Sequence, residues 1–238
     1  MSIVIAALYP DLLGTYGDGG NVITLRHRAA LRGLETDVIT VQPGDPVPEQ
    51  ADIYVLGGGE DTAQVAACEA LRTDGSLAHA AQRGAPILAI CAGYQFLGTV
   101  FPDATGSPAP GLELLDIATT RLPSRAVGEL AANPASGTTG LLGRDRFTGY
   151  ENHAGGTTRG AGVEPLALVL AGVGNGDGTE GAVSGHTIGT YLHGPCLVRN
   201  PDIADQLLEW AVGTPLEPVD EPEVTALRAE RFRTVLRG

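Results

Sequence analysis

The chain has 238 residues, of which 43% are hydrophobic and 18% charged, a balance typical of a globular protein with a substantial core. All 15 of its permanently basic residues are arginine, so the sequence excludes chemistry that depends on lysine, such as an ATP-binding P-loop or a Schiff base. The net charge of −13 also argues against non-specific binding of nucleic acid, which requires a basic surface.

Short apolar runs alternate with helical segments through the first hundred residues. The third run, DIYVLGGG, ends in three glycines, and the fourth is apolar almost throughout, as is usual for a strand buried on both faces. Asn21 is the predicted cap of the first helix and Gly33 its stop. Strands are predicted at 2–8, 36–41, 52–59 and 85–91, and helices at 22–33, 61–72 and 76–83. This alternation predicts one α/β domain, a flavodoxin-like sandwich whose mostly parallel sheet is flanked by helices.

The second half of the chain begins differently, because residues 103–160 are rich in Gly, Thr and Pro, with short strand-like pieces and a loop at NPASGTTG. Two strand-like runs, PLALVLAGV and GHTIGTYLHG, then lead to a predicted helix over 201–212. The domain is expected to span 1–213. An acidic linker and a final helix make up 214–238, and we expect this tail to be a solvated helix that packs on the domain, or a docking element for a partner. The helix carries Arg228, Arg231, Arg233 and Arg237.

The three cysteines, Cys68, Cys91 and Cys196, form no CxxC pair, which argues against a disulfide framework and a structural zinc site. No group of His, Cys or Asp residues has metal-ligand spacing, so the sequence predicts no bound metal. The N-terminus lacks a basic segment, and no apolar run reaches the roughly 18 residues that a membrane span needs. A cytoplasmic location without signal peptide or transmembrane helix is therefore predicted.

The most specific feature is ILAICAGYQFLG, where a buried strand leads directly into Cys91 and then into a helix-like stretch. The small residues Ala92 and Gly93 permit a sharp turn, so the pattern predicts a nucleophile elbow that holds the thiol at the top of the sheet. The helix N-terminus behind it would offer backbone N–H groups to an oxyanion. The alternative interpretation is a buried core cysteine.

A second candidate is His193, at the end of the strand in GTYLHGP. A nucleophilic cysteine needs a base for its proton and an acid for the leaving amine, and histidine supplies both. A lone histidine at a strand end is more often structural, but Cys91 and His193 are both predicted at the carboxyl ends of strands, where open α/β sheets place their sites. The glycines at 57–59 would let backbone N–H groups complete an oxyanion hole, or they form a plain turn.

Together these motifs resemble those of class I glutamine amidotransferases, which have a glycine-rich oxyanion strand, a C-x-G-x-Q elbow and a distal Y-x-H-G. Within that class the chain is similar to the cobyric-acid-synthase-like branch and, more finely, to the glutaminase subunits of lipid II isoglutaminyl synthases. The resemblance covers the chain to about residue 213 and implies the class I amidotransferase fold. Four stretches carry it: LYPDLLGTYGDGGN, GGGEDTAQ, GYENH and YLHGPCLVRNP.

The resemblance implies a role for each residue of the elbow and its surroundings. Cys91 would attack the side-chain amide of glutamine and form a glutamyl thioester, while His193 would move the thiol proton to ammonia. The backbone N–H groups of Ala92 and of Gly58 or Gly59 would stabilise the oxyanion.

Two further residues are implied in substrate binding. Gln95 occupies the position of the elbow glutamine of the family and would lie near the substrate. Arg125, in SRAVGEL, matches an arginine that this subfamily uses for glutamine, and a guanidinium is a suitable bidentate partner for the α-carboxylate. The alternative for Arg125 is an ordinary surface arginine.

The chain departs from the class pattern at one position. Most class I amidotransferases have a glutamate two residues after the histidine, where this sequence has Pro195. The acid that would orient His193 is therefore missing from its usual place. Either another acid of this chain replaces it, with Glu151 of GYENH a candidate, or a partner supplies it, and we favour the partner because ammonia release would then depend on assembly.

A glutaminase needs an activated acceptor for its ammonia, and this chain has neither a lysine nor a P-loop with which to use ATP. The resemblance implies a heterodimer with a Mur-ligase-like synthetase of the MurT type, which would hold ATP and Mg²⁺, while this chain binds no cofactor. By the same resemblance the acceptor is the α-carboxyl of D-glutamate in the stem peptide of lipid II, amidated to D-isoglutamine during peptidoglycan synthesis.

Three other interpretations remain open at this point. The chain could be the amidotransferase component of a cobyrinate-type amidating system, although such glutaminases are usually fused behind an ATP-binding domain. It could be a cysteine hydrolase or peptidase on a similar sheet, which would have no reason to carry Arg125. It could also be a degenerate amidotransferase that only binds, although the intact pair of Cys91 and His193 argues against that.

Overall fold

The computed structural model describes residues 2–14, 16–138 and 146–236. Its strands are β1 (Ser2–Leu8), β2 (Glu35–Val41), β3 (Ile53–Leu56), β4 (Ile87–Ile90), β5 (Val100–Pro102), β6 (Pro108–Pro110), β7 (Ile117–Pro134), β8 (Phe147–Arg159), β9 (Ala167–Ala171), β10 (Thr179–Glu180), β11 (Ala182–Ser184) and β12 (Thr187–Thr190). Its helices are α1 (Gly19–Ala30), α2 (Asp61–Asp74), α3 (Ser76–Gln82), α4 (Ala92–Phe96), α5 (Cys196–Arg199), α6 (Pro201–Val212) and α7 (Pro222–Val235).

Five parallel strands form the first sheet in the order β12-β4-β3-β1-β2, and β11 joins its edge antiparallel to β12. Every residue of β3, β4 and β12 is buried, which explains the nearly continuous apolar run in the sequence before Cys91. Helices α1 and α6 contact each other and this sheet. The predicted α/β fold, with a mostly parallel sheet flanked by helices, is confirmed.

This topology positions the site because the carboxyl ends of parallel strands meet at one edge of a sheet. The loop after β1, the glycines after β3, the cysteine after β4 and the histidine after β12 all lie at that edge.

A second sheet, in the order β10-β9-β7-β5-β6 with β8 also paired to β7, was not predicted from the sequence. Its main feature is the long antiparallel pair of β7 and β8, whose register shifts between Arg121 and Ala126. Pro123 and Gly128 interrupt the apolar alternation of β7, so only short strand-like pieces were recognisable. The predicted NPASGTTG loop begins inside β7, and its last two residues lie outside the described residues.

The first helix starts earlier than predicted, at Gly19 rather than at residue 22. The prediction of Asn21 as its cap is wrong, because Asn21 lies inside the helix and its Oδ1 accepts a hydrogen bond from the Leu197 N–H at 2.9 Å. The residue at the cap position is Asp18, whose side chain makes no capping bond. The helix ends at Ala30, and Gly33 follows with a φ of +68°.

The C-terminal helix α7 contacts β7, β8 and α5. Phe232 is its buried residue, and the guanidinium of Arg146 lies 4.3 Å from the centre of that ring. The linker before α7 is held to α1 by Arg28, which pairs with Glu221. Arg237, which the sequence placed in this helix, lies outside the described residues. None of the helices in the described ranges is long and apolar enough to cross a membrane.

Candidate active site

Cys91 sits in a sharp turn between β4 and α4 and is 5% exposed. Its backbone has φ 51° and ψ −101°, a conformation that non-glycine residues rarely adopt and that costs about 1–3 kcal/mol. Its N–H donates a 2.8 Å hydrogen bond to Thr190 O at the end of the neighbouring strand β12. The chain therefore has the strand–turn–helix geometry of a nucleophile elbow at Cys91.

His193 follows β12 and is buried beside the elbow. Its backbone pairs with Tyr150 of β8 through hydrogen bonds of 2.8 and 3.2 Å, and its side chain is 1% exposed. A Cβ atom placed on Gly58 would lie 2.6 Å from Cε1 of His193 and 3.2 Å from Cβ of Cys91. The structure thus brings Cys91 and His193 together around Gly58, where only glycine fits.

Asp18 is the acid that contacts His193. Both carboxylate oxygens of Asp18 lie 3.1 Å from Nδ1 of His193, and Oδ2 also accepts a 2.8 Å hydrogen bond from the Gly58 N–H. The carboxylate can only accept, so Nδ1 of the imidazole carries the proton. Nε2 is buried and has no hydrogen-bond partner of ordinary geometry among the described residues, which leaves that nitrogen for the reaction.

The pKa of His193 reflects this environment. Burial lowers it, but hydrogen bonding and charge from Asp18 and Cys91 raise it by more, so that it lies at about 10 instead of its ordinary 6.5. The ring is therefore an imidazolium at neutral pH. An imidazolium in such a position stabilises a nearby thiolate and supplies a proton to a leaving amine.

The structure narrows the choice of oxyanion donors. The sequence offered the N–H of Gly58 or of Gly59, and that of Gly58 donates to Oδ2 of Asp18, which leaves Gly59. The N–H groups of Gly59 and Ala92 donate to no other group in the described parts of the chain. Ala92 opens α4, where the first N–H groups have no partner within the helix. Ala92 directly follows Cys91, and Gly59 directly follows Gly58, so both N–H groups remain candidates for the oxyanion hole.

Gln95 and Arg125 lie in different surroundings. Gln95 is 6% exposed, and its Oε1 accepts a hydrogen bond from Gln64 Nε2 at 3.1 Å, so it is buried behind the elbow. Arg125 is exposed on β7, and its Nε donates to Asn152 Oδ1 at 2.7 Å. A second guanidinium nitrogen of Arg125 lies 3.5 Å from the Tyr16 hydroxyl, and the Tyr16 ring lies 4.9 Å from that of His193, centre to centre. Arg125 is therefore at the rim of the site.

The sequence from residue 4 to residue 201 matches the CobB/CobQ-like glutamine amidotransferase domain. The chain belongs to this family. A subunit of Staphylococcus aureus strain N315, "Lipid II isoglutaminyl synthase (glutamine-hydrolyzing) subunit GatD", is 36% identical over 228 residues, which cover 93% of this chain and 90% of the relative. A cobyric acid synthase of Sphingopyxis alaskensis is 35% identical over 72% of this chain, which spans only 34% of that relative's length.

Solved structures show the same fold. A crystal structure of a glutamine amidotransferase superposes with a TM-score of 0.59 at 21% identity, covering 89% of this chain and all of the other. A putative GMP synthase subunit of Thermoplasma acidophilum gives a TM-score of 0.60 at 13% identity, covering 90% of this chain and 96% of the other. The class I amidotransferase fold expected from the motifs is confirmed.

The prediction that Glu151 orients the histidine of this amidotransferase is wrong. Its carboxylate is buried and accepts 2.8 Å hydrogen bonds from the N–H groups of Val173 and Gly174, while Oε2 lies 3.4 Å from Nε2 of His153. Both carboxylate oxygens are therefore engaged by Val173, Gly174 and His153 and not by His193. The preferred alternative, an acid from a partner, is not needed to complete the contact, because the same chain supplies Asp18.

Sequence reasoning missed Asp18, although its motif, GDGGN, was among the stretches that carried the family resemblance. The signal was present: an aspartate that ends the loop after β1 lies at the same sheet edge as the ends of β4 and β12. It was overlooked because Asn21 was taken as the helix cap, which placed Asp18 in an unassigned loop.

Proposed function

We propose that this amidotransferase hydrolyses L-glutamine through a thioester on Cys91. The sulfur attacks the side-chain amide carbon, and Nε2 of His193 gives its proton to the departing amine, so that ammonia leaves and a glutamyl thioester remains. Water then attacks the thioester while His193 takes one of its protons, which releases glutamate and restores the cysteine. The single observation that carries this proposal is the buried Nε2 of His193, which has no hydrogen bond of ordinary geometry among the described residues, while Asp18 holds Nδ1.

The remaining residues have supporting roles in this proposal. The N–H groups of Ala92 and Gly59 stabilise the oxyanion of the tetrahedral intermediate. Asp18 is a positioning residue, because it fixes the tautomer and orientation of the imidazole. Arg125 binds the α-carboxylate of glutamine at the rim, and Gln95, on the helix that follows the elbow, lies near the bound glutamine.

We further propose that the ammonia amidates lipid II. The support is the similarity to GatD subunits over nearly the whole length of both chains. In this proposal a Mur-ligase-like partner of the MurT type forms a heterodimer with this chain, holds ATP and Mg²⁺, and activates the α-carboxyl of the stem-peptide D-glutamate. Ammonia then converts that carboxyl to D-isoglutamine. The absence of lysine in this chain is consistent with an ATP site on another polypeptide.

A cobyrinate-type amidating role is the second candidate. It is favoured by 35% identity to a cobyric acid synthase, but this chain spans about a third of that relative's length. The similarity to GatD extends over 93% of this chain, so the lipid II role has the stronger support.

The test is ammonia release from glutamine together with amidation of lipid II, measured with the synthetase, ATP and Mg²⁺ present or absent. We expect glutamine-dependent amidated lipid II with the native chain and none with Cys91→Ala. Supply of free ammonia should restore amidation by the Cys91→Ala complex. Ammonia release with unmodified lipid II would support the glutaminase and overturn the acceptor, and release by Cys91→Ala at the native rate would overturn the mechanism.

A further inference from the structure

The Tyr16 hydroxyl lies between two opposite charges at the mouth of the site. It donates a 3.2 Å hydrogen bond to Oε1 of Glu60, and a guanidinium nitrogen of Arg125 lies 3.5 Å from it on the other side. Because both contacts share the Tyr16 hydroxyl oxygen, Oε1 of Glu60 and the guanidinium nitrogen of Arg125 are separated by no more than the sum of those two distances. In this structure the Tyr16 hydroxyl bridges the two charges.

Tyr16 lies beside one of the reacting groups. The Tyr16 ring packs against the ring of His193, and burial, the charge of Glu60 and the charge of Cys91 all raise the pKa of its hydroxyl. Glu60 directly follows the glycine turn that holds Gly58 and Gly59 beside the elbow. The carboxylate and the guanidinium are therefore joined through Tyr16 to the histidine of the site.

The carboxylate of Glu60 does not cap the helix that begins after it. Glu60 is the residue before α2, where acidic side chains often cap the helix, yet it forms no capping bond. Its hydrogen bond goes instead across the mouth of the site to Tyr16. The neighbouring Asp61 behaves differently, because its carboxylate pairs with Arg121 at 3.3 Å on the outer surface.

We propose that Glu60 binds the α-ammonium group of the substrate, opposite the α-carboxylate held by Arg125, and so restricts the enzyme to the free amino acid glutamine. The inference rests on the proposed glutaminase function and adds a determinant of specificity to it. A pair of fixed opposite charges is complementary to a zwitterion and discriminates against an amide that lacks the ammonium group. In this proposal the charged groups of the substrate take the place of the Tyr16 hydroxyl between the two side chains.

The test compares two ligands that differ only in the ammonium group: L-glutamine and glutaramate, the same molecule without it. Binding of each to the full chain is measured by calorimetry in the Cys91→Ala background, which prevents turnover. We expect Glu60→Gln to weaken glutamine binding about 10- to 100-fold, as for loss of a charged hydrogen bond, and to leave glutaramate binding unchanged. Asp61→Asn, the matched control, should change neither.

Equal weakening of both ligands by Glu60→Gln would overturn the inference, since it would mean a general disturbance of the site. Unchanged glutamine binding would overturn it as well, and would leave Glu60 as a surface carboxylate. Failure of the proposed function gives a different result: binding of neither ligand to any variant, or ammonia release that does not depend on Cys91.

Discussion

Asp18 and His193 are 175 residues apart in the chain, yet both carboxylate oxygens of Asp18 lie 3.1 Å from Nδ1 of His193. The same carboxylate also receives the N–H of Gly58, which fixes its orientation. One buried acid thus links the loop after β1, the glycine turn after β3 and the histidine after β12. We propose that this contact takes the place of the glutamate expected two residues after the histidine, where this chain has Pro195.

Replacing Asp18 by asparagine should lower kcat about 10²- to 10⁴-fold with a small change in KM. The asparagine amide keeps the shape of the carboxylate, but it no longer stabilises the imidazolium of His193 or fixes the tautomer of the neutral ring. The measurement is the steady-state rate of ammonia release from glutamine, with Asp37→Asn as control because Asp37 is an exposed carboxylate on β2. A native rate for Asp18→Asn would contradict the role of Asp18 as the orienting acid.

The charge of His193 should make stability depend on pH. Its pKa is raised to about 10 in the folded chain from an ordinary 6.5, so folding favours the protonated form. The stabilisation is fully present below about pH 6.5 and is lost as the pH rises through about 10. The free energy of unfolding, measured in urea at pH 6, 8 and 10, should fall more steeply with rising pH for the native chain than for His193→Gln. The same pH dependence in both proteins would contradict the pairing of His193 with Asp18 and Cys91.

Replacing Gly58 by alanine should reduce kcat/KM at least about 100-fold, because the new methyl group would lie 2.6 Å from Cε1 of His193 and must displace the ring. Gly162→Ala is the matched control, since a Cβ atom there meets nothing within 4 Å. Both variants are assayed for ammonia release and for the midpoint of thermal unfolding. Native activity in Gly58→Ala would mean that the histidine is not confined as described.

Glu151 should matter for stability and little for catalysis. Glu151→Ala removes the acceptor of the buried Gly174 N–H and of the part-buried Val173 N–H, so the free energy of unfolding should fall by about 1–3 kcal/mol. The pH profile of kcat/KM should keep its shape, because the carboxylate does not contact His193. A shifted profile with unchanged stability would restore Glu151 as the orienting acid.

The parts of this molecule that local pattern determines were predictable. The buried strand before Cys91 and the small residues after it specify the elbow, and His193 follows a strand of the same sheet. The second sheet was not predictable, because Pro123 and Gly128 interrupt a strand that is stabilised by pairing along its length. Asp18 was missed for a related reason: its partner His193 is distant in sequence, and only the order of the parallel strands brings the two together.

The most direct test of the central claim is to trap the glutamyl thioester. The chain is mixed with its synthetase, ATP, lipid II and L-glutamine, and the reaction is quenched rapidly in acid. The protein is then digested, and the mass of the peptide that contains Cys91 is measured by mass spectrometry. We predict a mass increase of one glutamyl group on Cys91 in the native chain, and none in Cys91→Ala. Ammonia release at the native rate with no adduct on Cys91, or with the adduct on Cys68 or Cys196, would contradict the account.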